Sequence, residues 1–150
     1  MSEMSEFLDV RVGDVKMPQN LPSGTYRFVL TRYSLERSEG PNKTPYVRAT
    51  FKPVEAIDTA GADVDIDNSK NIQVDFWRTE KADKIAVRFL TQTLRLPATE
   101  DSLLSELWEQ SIGSEMVGVV KSETKTSKNG NPYTETTIER FFPADHQAAA

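Results

Sequence analysis

The sequence predicts a mainly β protein with a helical insertion, in the order β-β-β-α-α-β-β. Apolar residues alternate with polar ones along three segments of the first half, which is the period of a strand with one buried face. The period becomes helical after Thr79, and it becomes that of a strand again at Met116. These two changes of period place both helices between the third and the fourth strand.

Size and composition fit one globular domain. The chain has 150 residues, of which 37% are hydrophobic and 27% are charged, so it has enough apolar material for a core. It contains no cysteine, which excludes disulfides, thiolate metal sites and cysteine nucleophiles. The first nine residues are polar and acidic, unlike a signal peptide, and no segment is apolar over the length of a membrane span. We therefore expect a cytoplasmic protein without membrane contact.

The first three strands are predicted at residues 25–36, 45–54 and 71–78. In the first of them, Tyr26, Phe28 and Leu30 alternate on one face, whereas Tyr33 and Leu35 continue on the opposite parity. Such a phase slip within one strand is typical of a β-bulge, which bends the strand. A long, bent first strand favours the closure of a small barrel.

The second half of the chain contains two predicted helices and a hairpin. Apolar residues recur at helical spacing from Ile85 to Leu94, which predicts a helix at residues 80–94 with Thr79 as its N-cap. A second helix is predicted between Asp101 and Gly113. Two last strands, at residues 116–122 and 133–142, flank a loop with the sequence Lys-Asn-Gly-Asn, a strong hairpin signal. The combined patterns predict that the following residues are buried: Phe28, Leu30, Phe51, Val74, Phe76, Phe89, Leu107 and Val119.

Three strands, a helical insertion and a closing hairpin form the element order of an OB-fold, a five-stranded Greek-key barrel. We expect this OB-fold-like domain at residues 21–144. Residues 1–20 are predicted to be an N-terminal tail with a short edge strand at residues 8–12. Residues 145–150 are predicted to be a C-terminal tail, since this end is short and rich in alanine.

Four local features add a resemblance to a known family. They are the turn and strand start at residues 21–26, the helix-to-strand connection at 112–120, the hairpin turn at 128–133 and the strand end at 140–144. Together they resemble a family of small bacteriophage proteins from replication and recombination modules, which are similar to phage single-stranded DNA-binding proteins with OB-folds. The resemblance implies this fold and this function. One departure is that the chain ends with a single acidic residue, Asp145, where many single-strand binders have an acidic tail that recruits partners.

Aromatic and basic residues mark the candidate binding surface. Binding a single strand without regard to its sequence requires aromatic faces for stacking and cations along the path of the backbone. The net charge of the chain is −5, but residues 25–52 carry six basic and two acidic residues, a net charge of +4. In an OB-fold, the loops after the first and the fourth strand flank the groove. The predicted nucleic-acid-binding residues are Arg32, Tyr33, Tyr46, Arg48, Lys52, Trp77, Lys125 and Lys128.

Each part of this surface has a structural alternative. The charged side chains of the second strand also suit the solvated outer face of an ordinary strand. Lys125 and Lys128 also suit a hairpin whose edge is protected by charge. Trp77 lies off the apolar parity of its strand, which indicates exposure, but the two helices would equally cover it.

The sequence offers little for catalysis or for a metal. Its one histidine, His146, lies in the predicted tail, and it has neither a phosphate-binding glycine loop nor an HExxH motif. The alternating acids from Asp63 to Asp67 resemble the start of a calcium loop, but Asn68 and Val74 stand where that loop needs glycine and glutamate. We therefore expect a protein that is not an enzyme and that needs no cofactor or metal ion.

The leading hypothesis is a phage-type protein that binds single-stranded DNA during replication or recombination, by base stacking and phosphate neutralisation. Its expected partners are single-stranded DNA and phage or host replication and recombination proteins, and its open strand edges favour homo-oligomers. One alternative is a phage protein-interaction module that inhibits or redirects a host enzyme, which the acidity of the chain favours. The other alternative is a small structural protein of the virion.

Overall fold

The computed structural model describes residue 11 and residues 17–41 and 43–145. The predicted order of elements is confirmed. The strands are β1 (Gly24–Arg37), β2 (Pro45–Asp58), β3 (Ile72–Trp77), β4 (Glu115–Thr126) and β5 (Pro132–Pro143). The helices between β3 and β4 are α1 (Glu80–Arg88), a π-helical turn (Phe89–Thr93) and α2 (Leu104–Ser111), and a short 3-10 turn (Ile66–Asn68) precedes β3.

The five strands form one antiparallel sheet in the order β3-β2-β1-β4-β5. The sheet curls until its two outer strands face each other, and the rings of Phe76 on β3 and Phe141 on β5 lie with their centroids 6.3 Å apart. The architecture is therefore mainly β with a helical insertion, in the manner of a partly open OB-fold barrel. None of the helices in the described part of the chain is long and apolar enough to cross a membrane.

The predicted bulge in β1 is confirmed. Leu30 pairs with Phe51 and Arg32 pairs with Thr50, so Thr31 is an extra residue without a partner position on β2. Before the bulge, residues 25–29 pair with both β2 and β4, whereas after it β1 pairs with β2 alone. The extra residue thus bends β1 and lets it belong to both halves of the barrel.

The helical insertion departs from the prediction at its C-terminal end. Thr79 is the N-cap of α1, as predicted, because its hydroxyl accepts a hydrogen bond of 3.1 Å from the amide of Ala82. The predicted single helix at 80–94 ends at Arg88, however, and continues as the π-helical turn. The wider turn belongs to the core, since its first two residues, Phe89 and Leu90, are both buried.

The core contains six of the eight residues predicted to be buried, and the other two, Val74 and Val119, are half-buried. The buried residues of β4 are instead Met116, Val117, Gly118 and Val120, and the register with β5 shifts between Val119 and Val120. At Gly118 a side chain would be tightly packed: a β-carbon there would lie 3.0 Å from Ile138 and 3.1 Å from the ring of Phe28.

The termini are described only in part. The predicted strand at 8–12 lies outside the described residues except for Arg11, and so do residues 146–150. The segment 17–20 is tied to the connection before β3, since Gln19 bridges Ser69 in parallel.

Candidate nucleic-acid interface

The outer face of β1, β2 and β3 carries most of the predicted binding residues. Side chains there alternate with the core residues Val47, Ala49 and Phe51 of β2, so they point away from the barrel interior. The strand register arranges them in three cross-strand rows, which we call the outer face: Glu36–Tyr46–Trp77, Ser34–Arg48–Asp75 and Arg32–Thr50–Gln73.

An aromatic pair lies in the first row. Tyr46 and Trp77 are direct partners across β2 and β3, and their ring centroids are 4.6 Å apart with an angle of 44° between the planes. Trp77 retains 40% of its surface exposed, so the helices do not cover it. The pair therefore presents a partly exposed π surface of the kind on which nucleobases stack.

Arg48 connects this aromatic pair to the second row. Its guanidinium carbon lies 5.4 Å from the centre of the Tyr46 ring, within the range of a cation–π contact. Its Nε and Nη2 also donate to the two carboxylate oxygens of Asp75, at 2.9 and 3.3 Å. This hydrogen-bonded ion pair raises the pKa of Arg48. The charge of Arg48 is thus compensated within the face, and its guanidinium contacts the Tyr46 ring.

Uncompensated positive charge lies at the other end of the outer face. Arg32 and Lys52 are exposed and form no ion pair within the described part of the chain. Lys70, just before β3, is likewise exposed and forms no ion pair with the described residues. The sequence did not predict Lys70 as a binding residue. It lies in the polar connection after β2, where no periodicity indicates which side chains approach the sheet.

Tyr33 does not lie on the outer face. Its ring is 6.2 Å from that of Trp108, and its hydroxyl donates a hydrogen bond of 2.8 Å to Glu109 on α2. That hydrogen bond raises the pKa of Tyr33. Tyr33 therefore lies apart from the single groove that was predicted for Arg32, Tyr33, Tyr46, Arg48, Trp77, Lys125 and Lys128, because the bulge at Thr31 turns it toward the helices.

Two of the three lysines of the β4–β5 hairpin, Lys121 and Lys125, are paired with glutamates and are not free to bind phosphate groups. Lys125 is paired with Glu135 on the neighbouring strand, and Lys121 contacts both Glu123 and Glu139. Three glutamates and two lysines thus alternate on one face of the hairpin, where their charges compensate one another. Lys128, in the turn between β4 and β5, forms no ion pair among the described residues.

The structure therefore brings together Tyr46, Arg48 and Trp77, and it places Arg32 two rows away on the same face. Within the described residues, no group of three or more histidine, aspartate or glutamate side chains is arranged to hold a metal ion.

Comparisons with known proteins leave the family of this chain undefined. No family model matches the sequence, and no curated protein matches it. One solved structure, described as yeast RPA bound to ssDNA, is similar over 95% of this chain and 87% of that chain, with 7% identity and a TM-score of 0.39. A likeness at this level supports no conclusion about function, which must be inferred from the chain's own residues.

Proposed function

We propose that this chain is a non-catalytic module that binds single-stranded DNA on the outer face of β1, β2 and β3. The observation that carries the proposal is the pair of Tyr46 and Trp77, contacted by Arg48 and partly exposed. Stacking of a base on such a platform contributes about 1–3 kcal/mol and is tolerant of sequence.

Electrostatics are a minor part of the proposed binding. The chain has a net charge of −5, and Asp75 compensates Arg48 on the face itself. Phosphate neutralisation therefore depends on Arg32, Lys52 and Lys70, which have no acidic partner among the described residues. Each phosphate contact on a single strand contributes about 0.7 to the slope of log affinity against log salt concentration. We expect weak binding that falls further in moderate salt.

The proposed setting is replication or recombination of a phage in the cytoplasm of its host. Bound protein keeps the strand unpaired and protects it, and replication or recombination proteins are the expected further partners. The two outer strands of the sheet, β3 and β5, leave edges to which a second copy can add. Self-association of neighbouring copies on a DNA strand is therefore part of the proposal.

The test is fluorescence anisotropy of a labelled oligo-dT at low and at moderate salt, with a duplex of equal length as the control. We expect saturable binding to oligo-dT at low salt, weaker binding at moderate salt and little binding to the duplex, whose bases are not available for stacking. Absence of oligo-dT binding at low salt contradicts the proposal and leaves the protein-interaction module and the virion protein as the remaining hypotheses.

A further inference from the structure

A polar cleft of about 390 Å³ opens beside the third row of the outer face. Its size is within the range of small-ligand sites, about 300–1,000 Å³. Segments that are distant in sequence meet there: the chain before β1, the bulge of β1, the middle of β2, the start of β3 and one residue of β5. The lining residues are Asn20, Leu21, Thr31, Arg32, Thr50, Lys70, Asn71, Ile72, Gln73 and Thr136.

Hydrogen bonds hold the walls of this cleft in place. The amide of Gln19 donates to the carbonyl of Asn68 at 2.9 Å, and the amide of Lys70 donates to the carbonyl of Gln19 at 2.8 Å. The side-chain amide of Asn68 donates to the carbonyl of Met17 at 3.0 Å. The chain before β1 is thus fixed against the chain before β3, and the cleft between them is a built feature of the fold.

The charge of the lining is the opposite of the charge of the protein. The chain has 23 acidic residues, yet among the residues that the structure describes no aspartate or glutamate lines the cleft. Two cations do, Arg32 and Lys70, and neither forms an ion pair within the described residues. An acidic protein that keeps two cations together without a counter-charge has a local potential that favours an anion.

The neutral lining residues supply further hydrogen-bond donors. Asn20, Asn71 and Gln73 carry amide groups, and the threonines carry hydroxyls. The hydroxyl oxygen of Thr136 is enclosed and has no hydrogen-bond partner among the described residues. Because this oxygen is closed off from solvent, the donors that a ligand in the cleft can reach are the side-chain amides.

We infer that this cleft is a phosphate-binding site, in which Arg32 and Lys70 together bind one phosphate group of a nucleic-acid strand. A guanidinium binds two oxygens of a phosphate with its planar fork, and an ammonium adds a second, less directional charge. Because Thr50 lies four residues along β2 from Tyr46, the cleft is about 13 Å from the aromatic pair at about 3.3 Å per residue. A short oligonucleotide spans both. That the phosphate belongs to a DNA strand rests on the proposed function, whereas the binding of an anion in the cleft does not.

The first arm of the test uses deoxythymidine 5′-monophosphate and thymidine as probes, followed by amide chemical shifts in a ¹H–¹⁵N NMR spectrum. We expect the monophosphate, but not thymidine, to shift the amides of the cleft, and the R32Q/K70Q protein to lose these shifts. The matched control is K84Q/R88Q, which removes two exposed cations of α1 that form no ion pair with the described residues and should respond like the parent. Equal shifts with thymidine, or shifts that persist in R32Q/K70Q, overturn the site.

The second arm measures oligo-dT affinity against salt concentration for the same proteins. Since both cations bind one phosphate, R32Q/K70Q should lower the salt slope by about 0.7, and K84Q/R88Q should leave it unchanged. An unchanged slope in R32Q/K70Q overturns the assignment of the phosphate to a bound strand. If the parent binds no oligo-dT at all, the proposed function fails, while the first arm still decides whether the cleft binds phosphate.

Discussion

Replacing Trp77 by alanine removes half of the aromatic pair on which the proposed binding depends. A stacked base contributes about 1–3 kcal/mol. Tyr46 lies 4.6 Å from Trp77, ring centre to ring centre, and it keeps part of the platform after the substitution. We therefore expect a loss in the lower part of that range, about 1–2 kcal/mol, which is a factor of about 5–30 in affinity.

The assay is oligo-dT titration of the parent, Trp77→Ala and Trp77→Phe, with circular dichroism to confirm that each protein is folded. Trp77→Phe keeps an aromatic face and should retain most of the affinity, and the salt slope should be similar in all three because no cation changes. Tyr133→Ala is the matched control, because it removes an aromatic ring that is 48% exposed on the hairpin. Equal affinities for the parent and Trp77→Ala, or an equal loss in Tyr133→Ala, would refute the stacking argument.

Three further predictions concern the scaffold. Phe51→Ala should lower the free energy of unfolding by about 3–5 kcal/mol, since the ring is fully buried. Val54→Ala, at an exposed position, should change it little. Urea denaturation measures both variants, and equal midpoints would show that the core face is misassigned. Gly118→Ala should cost about 1–3 kcal/mol by overpacking, because its β-carbon would lie 3.0 Å from a core side chain; an unchanged melting temperature would contradict this. The hydrogen bond and charge of Lys121 lower the pKa of Glu123 in the folded protein. The contribution of Glu123 to stability is therefore present above its unfolded pKa and is lost as the pH falls through the lower folded pKa. Glu123→Gln should flatten the plot of stability against pH in that acidic range, and an unchanged curve would falsify the pairing.

The order of the elements was predictable because local patterns encode it. The two changes of hydrophobic period bounded the helices, and Thr79 marked the start of the first one. The opposite parities of Leu30 and Tyr33 even revealed the bulge. The ends of the hairpin strands were less predictable, since Lys125 and Thr126 continue the ladder of β4 with polar side chains. A strand that is solvated on both faces has no hydrophobic alternation to detect.

The composition of the site was less predictable than the fold. Tyr46, Arg48 and Trp77 share a face because strand parity alone decides it, and parity is visible in the sequence. The pairing of Lys125 with Glu135 depends on the register between two strands, which the sequence does not specify residue by residue. The cleft at Arg32 and Lys70 depends on contacts between distant segments, for which a single sequence carries no local signal.

The central claim, that a base stacks on Trp77, is tested most directly by tryptophan fluorescence. The chain contains two tryptophans, of which Trp108 is only 3% exposed. Addition of oligo-dT at low salt should quench the fluorescence of the parent protein. In Trp77→Phe, which should still bind by anisotropy, the remaining emission of Trp108 should not change. Binding of oligo-dT to the parent without any quenching, or equal quenching in Trp77→Phe, would contradict the account.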